Sequence, residues 1–183
     1  FANASKSNSA RNRMIESAQH LLTVPATHFD QDPYAFNTLN GTVDLRTGQI
    51  FPHDPSDFIS HIAPVAYNPD AKCPLFKVVL EKALRGNQKL VNMFRRQVGY
   101  SMTGCTNAQC FMFVHGPGGS SKSTIVNTLR NMMGDYGKHM PAETLLAKKV
   151  DSSSSNDLAR LKGARMVTAI ETNFGRELDE ARI

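Results

Sequence analysis

The sequence predicts an α/β fold with a partial parallel sheet in its second half, preceded by a small, mainly helical domain with a short β-meander. Two short apolar runs, Cys110–Val114 and Met166–Ile170, are separated by a glycine-rich loop and an amphipathic helical segment. Strands that alternate with helices in this way form parallel sheets. We place the small domain at residues 1–104 and the N-terminal half of the α/β core at residues 105–183.

The composition is that of a globular protein. Of the 183 residues, 40% are hydrophobic and 20% are charged, which is enough apolar material for a core. The net charge of +5 is compatible with a nucleic-acid partner but does not establish one. Three cysteines are few, and their number is odd, which argues against a secreted disulfide framework. We therefore expect a cytoplasmic location. No apolar run reaches the roughly 18–20 residues of a membrane span.

The first domain begins with a predicted helix at Ala10–Leu22, whose apolar residues recur at helical spacing. Asn40-Gly41 then lies between two short segments of strand character, and this pair favours the type I′ turn of a hairpin. Thr47-Gly48 indicates another turn, so we predict a β-meander near residues 36–51.

A helical hairpin is predicted to close the first domain. Pro74 suits the first position of a helix, and Gly86 suits the position after its end. A third helix is expected over Gln88–Val98, with Gly99 ending it.

The second domain opens with the run Cys110–Val114, which is typical of a strand buried on both faces. We predict a helix from Lys122 to about Met133, and a second strand over Met166–Ile170 that ends on Glu171. The residues expected on the buried face of that helix are Ile125, Leu129, Met132 and Met133.

The loop between the first strand and its helix carries a phosphate-binding pattern. The pattern is a glycine, four residues, Gly-Lys and then Ser or Thr, and only Ser121 departs from it. Lys122 would place its ammonium against the β and γ phosphates of ATP, and Ser123 would offer its hydroxyl to Mg²⁺. The predicted nucleotide-binding residues are Gly116, Pro117, Gly118, Gly119, Ser120, Ser121, Lys122, Ser123 and Thr124.

Ser121 stands where the pattern has its second glycine. Serine is small and can adopt an ordinary helical φ, so we expect the loop to tolerate it with weaker binding. A loop that no longer supports turnover is the other interpretation of this substitution.

Glu171 supplies the other expected catalytic group. A carboxylate at the end of an apolar strand, about fifty residues after such a loop, can hold Mg²⁺ through water or polarise an attacking water. The two features together predict an α/β P-loop NTPase core, with Lys122 and Glu171 as catalytic residues and Ser123 and Glu171 at the metal.

These motifs, in this order, resemble the C-terminal region of phage/plasmid-type primases, which are superfamily 3 helicases related to poxvirus-type primase–helicases. The loop and its spacing to Glu171 carry the resemblance, although Ser120-Ser121 replaces the usual Asn-Gly. The other matching segments are Leu39–Gly48, Ala66–Ala71, Gly99–Gly104 and Leu161–Val167.

The resemblance implies an ATP-dependent DNA helicase that acts in the replication of a mobile element. It also implies a hexameric ring of identical subunits that hydrolyses ATP and threads single-stranded DNA, with a possible primase domain upstream. The chain begins at Phe1 and stops at Ile183 inside a helical-looking segment, so we expect both ends to continue in a larger protein. The family's sensor and arginine-finger motifs would lie beyond Ile183, and the chain alone is not expected to unwind DNA.

Two other functions remain open at this stage. A silent DNA-binding or loading module from a decayed prophage would explain Ser121. An unrelated P-loop enzyme, such as a small-molecule kinase, would leave the meander and the Gly99–Gly104 match unexplained.

Overall fold

The computed structural model describes residues 7–19, 21, 23–144 and 159–170. Within these ranges, no helix combines the length and the apolar character needed to cross a membrane. All three cysteines are free thiols.

The α-helices are α1 (Asn8–Gln19), α2 (Pro74–Ala83), α3 (Gln88–Met102) and α4 (Lys122–Met133). The strands are β1 (Ala35–Thr38), β2 (Gly41–Asp44), β3 (Gln49–Phe51), β4 (Gly137–Pro141) and β5 (Met166–Ile170).

The predicted meander is present as an antiparallel sheet in the order β1-β2-β3. Its first turn differs from the prediction by one residue. Thr38 pairs with Gly41, so Leu39 and Asn40 form the turn and Gly41 already belongs to β2. Neither turn residue has a positive φ, which excludes the type I′ turn.

Gly41 is required by the neighbouring strand β3 and not by the turn. A Cβ at this position would collide with the carbonyl oxygen of Phe51, because β3 crosses close to the start of β2. Asn40 instead uses its side chain to hold a later segment: its amide donates to the Tyr67 carbonyl oxygen at 3.0 Å and accepts from the Tyr67 N–H at 2.7 Å.

The helical hairpin forms as expected, but α3 is longer than predicted. Asn87 caps its N-terminus, accepting hydrogen bonds from the N–H groups of Lys89 and Leu90. The helix continues through Gly99 and ends at Met102, so the expectation that Gly99 ends it is wrong. A helical glycine costs about 0.5–1 kcal/mol relative to alanine. Beyond Gly99, Met102 packs against a buried cluster.

Helix α4 has the predicted bounds and packs against the helical hairpin. One hydrophobic cluster joins all three helices, so residues before and after position 104 share a core. Met132, expected on the buried face, is 40% exposed, whereas Met133 is 2% exposed. The buried members of this first cluster are Leu80, Val91, Phe94, Ile125 and Leu129.

A parallel pair of strands follows α4. Strand β5 lies where the sequence predicts it, and its partner β4 was not predicted. The residues of β4, Gly-Lys-His-Met-Pro, have low strand propensity, so the sequence alone carries no strand signal there.

The predicted strand Cys110–Val114 is wrong. This segment has no ladder partner among the described residues, and Phe111 and Phe113 are 59% and 68% exposed. Met112, between them, packs against the first cluster and is the one residue of Cys110–Val114 that is not exposed. A strand buried on both faces needs hydrogen-bonded neighbours, and the described parallel sheet consists of β4 and β5 alone.

A second cluster joins the meander to the turn after α4. Tyr136, 1% exposed, stacks on Phe36 of β1 with ring centroids 4.6 Å apart. Its hydroxyl accepts from the Asn37 N–H at 3.1 Å and donates to the His61 carbonyl oxygen at 3.1 Å. The buried members of this second cluster are Phe36, Ala63, Met133 and Tyr136.

Arg165 covers this aromatic pair immediately before β5. Its guanidinium lies 4.6 Å from the centre of the Tyr136 ring and donates to the carbonyl oxygens of Met102 and Ala35 at 3.0 and 2.8 Å. Burial lowers the pKa of Arg165 and raises the pKa of Tyr136. One side chain therefore links α3, β1 and β5.

We expect Tyr136→Phe to lower the free energy of unfolding by about 1–3 kcal/mol, because it leaves a donor and an acceptor without their partner in a buried place. Tyr67→Phe is the matched control, since it removes one exposed hydrogen bond to Gly48. Urea denaturation of both variants measures the difference. Equal losses of stability would show that the buried hydroxyl has no special role.

Gly163→Ala is expected to destabilise the protein by about 2 kcal/mol or more, because φ is +78° and the new Cβ would collide with the His61 ring. That ring is also held against Tyr136 and Asp30. Gly99→Ala, in the middle of α3 with open space around it, should stabilise slightly. Thermal unfolding of the pair is the measurement, and a harmless Gly163→Ala would contradict the packing described.

Candidate phosphate-binding loop

The loop between residues 116 and 121 connects the extended segment after Cys110 to α4. Two of its glycines have backbone angles that other residues rarely adopt: φ is 152° at Gly116 and 74° at Gly119. At Gly118 and Gly119, no atom lies within 4 Å of where a Cβ would be. The backbone of Gly118 and Gly119 is therefore open on the side where other residues carry a side chain.

Ser121 occupies the last loop position in the left-handed region, with φ 60° and ψ 12°. The expectation that it would adopt an ordinary helical φ is wrong. The pattern has a glycine at this position, and glycine adopts this conformation without a steric cost. Serine holds it at a cost of about 1–2 kcal/mol.

The N-terminus of α4 faces the loop without a side-chain cap. The Ile125 N–H donates to the Ser121 carbonyl oxygen, so the N–H groups of Lys122, Ser123 and Thr124 precede the first intrahelical bond. Free N–H groups and the positive end of the helix dipole favour an anion at this point.

Lys122 folds back over the loop. Its ammonium donates to the carbonyl oxygens of Gly116 at 2.9 Å and Pro117 at 2.8 Å, and to the Ser120 hydroxyl oxygen at 3.0 Å. The Ser120 hydroxyl in turn donates to the Pro117 carbonyl oxygen at 2.8 Å. The positive charge thus lies against the backbone of the loop.

The structure brings together every predicted loop residue from Gly116 to Thr124. Ser123 and Thr124 lie exposed on the first turn of α4. Glu171, the predicted catalytic and metal-binding carboxylate, lies outside the described residues, which reach Ile170 at the end of β5. Its catalytic and metal-binding role therefore remains a prediction.

The sequence pattern places Ser120 in the loop but indicates no separate role for it. Its contact with Lys122 depends on how the loop curls, and no spacing rule in the sequence signals it. Arg165 and Tyr136 were also missed, because their partners are up to 130 residues away in the sequence.

A glycine-rich loop, a lysine that contacts it and an uncapped helix N-terminus are features that many phosphate-binding sites share. Residues 1–85 match the family described as D5 N terminal like, which is the N-terminal part of D5-like primase–helicases of phages and plasmids. The match supports kinship with the primase–helicases over somewhat less than half of the chain, and it ends before the loop. No curated protein matches the chain.

Ser121→Gly is expected to raise the free energy of unfolding by about 1 kcal/mol, because glycine adopts φ 60° without a steric cost. Ser121→Ala retains a Cβ and is expected to leave stability nearly unchanged. Calorimetric unfolding of the two variants tests this. If glycine and alanine have the same effect, the left-handed conformation at this position is not a source of strain.

Proposed function

We propose that this chain carries the nucleotide-binding part of an ATP-dependent DNA helicase of the superfamily 3 type, within a phage or plasmid primase–helicase. The observation that carries the proposal is the placement of Lys122, whose ammonium lies over a glycine loop at the N-terminus of α4. The D5 N terminal like match over residues 1–85 independently supports the same family.

The residues of the loop fit a nucleoside triphosphate with its Mg²⁺. The open backbone at Gly118 and Gly119 can approach phosphate oxygens, since no side chain fills the space beside it. Lys122 would neutralise charge on the β and γ phosphates, and the exposed Ser123 hydroxyl would face the metal. Bound Mg²⁺ would neutralise phosphate charge, and Glu171 is proposed to hold it or orient water.

The remaining partners follow from the resemblance and from the basic charge. Single-stranded DNA is the proposed substrate, and a ring of identical subunits, hexameric in the full-length protein, is the proposed assembly. The net charge of +5 is compatible with DNA but does not distinguish it from other polyanions.

A second candidate is a DNA-binding or loading module whose loop no longer supports turnover. Two features of the loop favour it. Ser121 is held in a left-handed conformation where the pattern has a glycine, and all three N–H donors of Lys122 are already used within the loop.

We expect the full-length parent protein to hydrolyse ATP, and single-stranded DNA to stimulate the rate. Lys122→Ala should lower that rate by at least about a hundredfold, since removing a preorganised group at the phosphates costs about 2.7–4 kcal/mol. The exposed Lys89 at the start of α3 gives the control, Lys89→Ala, which should retain the wild-type rate.

The assay is phosphate release with and without DNA, on protein shown to be folded and oligomeric. Absence of turnover in that wild-type protein would favour the silent module. Turnover that survives Lys122→Ala would mean that another site hydrolyses the nucleotide.

A further inference from the structure

We propose that Ser120 competes with nucleotide phosphate for Lys122, so that its hydroxyl sets how readily the loop opens to a ligand. The inference rests on the proposed function, because it concerns the same loop. It goes further in assigning a role to a residue that the phosphate-binding pattern leaves unspecified.

The contacts of Lys122 show why a competitor is present. An ammonium has three N–H donors, and in this loop they have three acceptors: two backbone carbonyl oxygens and the Ser120 hydroxyl oxygen. The lysine is therefore saturated by the loop itself. A phosphate oxygen can gain a hydrogen bond from this ammonium only if one of those acceptors is released.

Ser120 is the acceptor whose identity the sequence can change. The carbonyl oxygens of Gly116 and Pro117 belong to the backbone, and any residue would supply them. The Ser120 hydroxyl is additionally oriented, because it donates its own proton to the Pro117 carbonyl oxygen at 2.8 Å. Its lone pairs are therefore directed away from that carbonyl and remain available to the lysine.

The surroundings of the hydroxyl strengthen the contact. Ser120 and Lys122 are half-buried, whereas residues 116–119 are exposed. A charge-assisted hydrogen bond that is partly shielded from water is stronger than one at an open surface. Binding of a phosphate is thus an exchange of one oxygen for another, and the hydroxyl lowers the net gain.

The first test needs no nucleotide. Acetic anhydride acylates the neutral amine of lysine. An ammonium that donates to three acceptors reacts slowly, because it must first lose a proton and one of those hydrogen bonds. In full-length protein, we expect Lys122 to be acylated more slowly than Lys89, and Ser120→Ala to speed acylation of Lys122 about two- to fivefold. Ser120→Thr retains a hydroxyl and should restore the wild-type rate. Mass spectrometry of the peptides gives both rates, and no change in Ser120→Ala would overturn the contact.

The second test measures the affinity of the same proteins for ATP and ADP by calorimetric titration. Loss of the competitor should lower the Kd of Ser120→Ala about two- to fivefold, with Ser120→Thr close to wild type. Weaker binding by Ser120→Ala would mean that the hydroxyl helps to hold the phosphate, which contradicts competition.

The two proposals can fail separately. If wild type binds nucleotide, Lys122→Ala abolishes binding and Ser120→Ala changes nothing, competition by Ser120 is wrong while the nucleotide site stands. If neither wild type nor Ser120→Ala binds, the nucleotide site and the competition both fall. The acylation rates would then still show whether Ser120 holds Lys122.

Discussion

The stack of Arg165 on Tyr136 and Phe36 is the interaction on which the rest of the structure depends. It joins the residue before β5 to the meander, and Arg165 also binds the last residue of α3 through a carbonyl oxygen. A guanidinium that loses water needs replacement partners, and two carbonyl oxygens and an aromatic face supply them. Because each partner comes from a different part of the chain, the stack fixes their relative positions.

Helix α4 connects that arrangement to the candidate phosphate-binding loop. Its buried face packs on α2 and α3 through Ile125 and Leu129, and its last residue, Met133, belongs to the Tyr136 cluster. The helix is therefore held at both ends of its buried face. This packing fixes the orientation of the helix and of its N-terminus, where Lys122 folds over the loop. A site for an anion requires such a fixed orientation.

Much of the site follows from short-range order in the sequence. The glycine-loop–lysine–helix unit and the bounds of α4 were predicted, because loop spacing and helical periodicity are local properties. The left-handed conformation of Ser121 was not predicted, since a residue pattern specifies side chains and not backbone angles. The role of Glu171 depends on its distance from the loop, and strand order rather than spacing sets that distance.

The sequence by itself determined the meander, the helical hairpin and the loop that leads into α4, since turn residues and apolar periods act within a few residues. The tertiary structure alone decided that β4 is a strand, that Gly41 is needed by β3 rather than by a turn, and that Cys110–Val114 has no ladder partner among the described residues. The physical reason is that strands depend on pairing. A strand is defined by the neighbour to which it is hydrogen-bonded, and local residue types do not specify that neighbour. The partner of β4 is β5, which lies about thirty residues later in the chain.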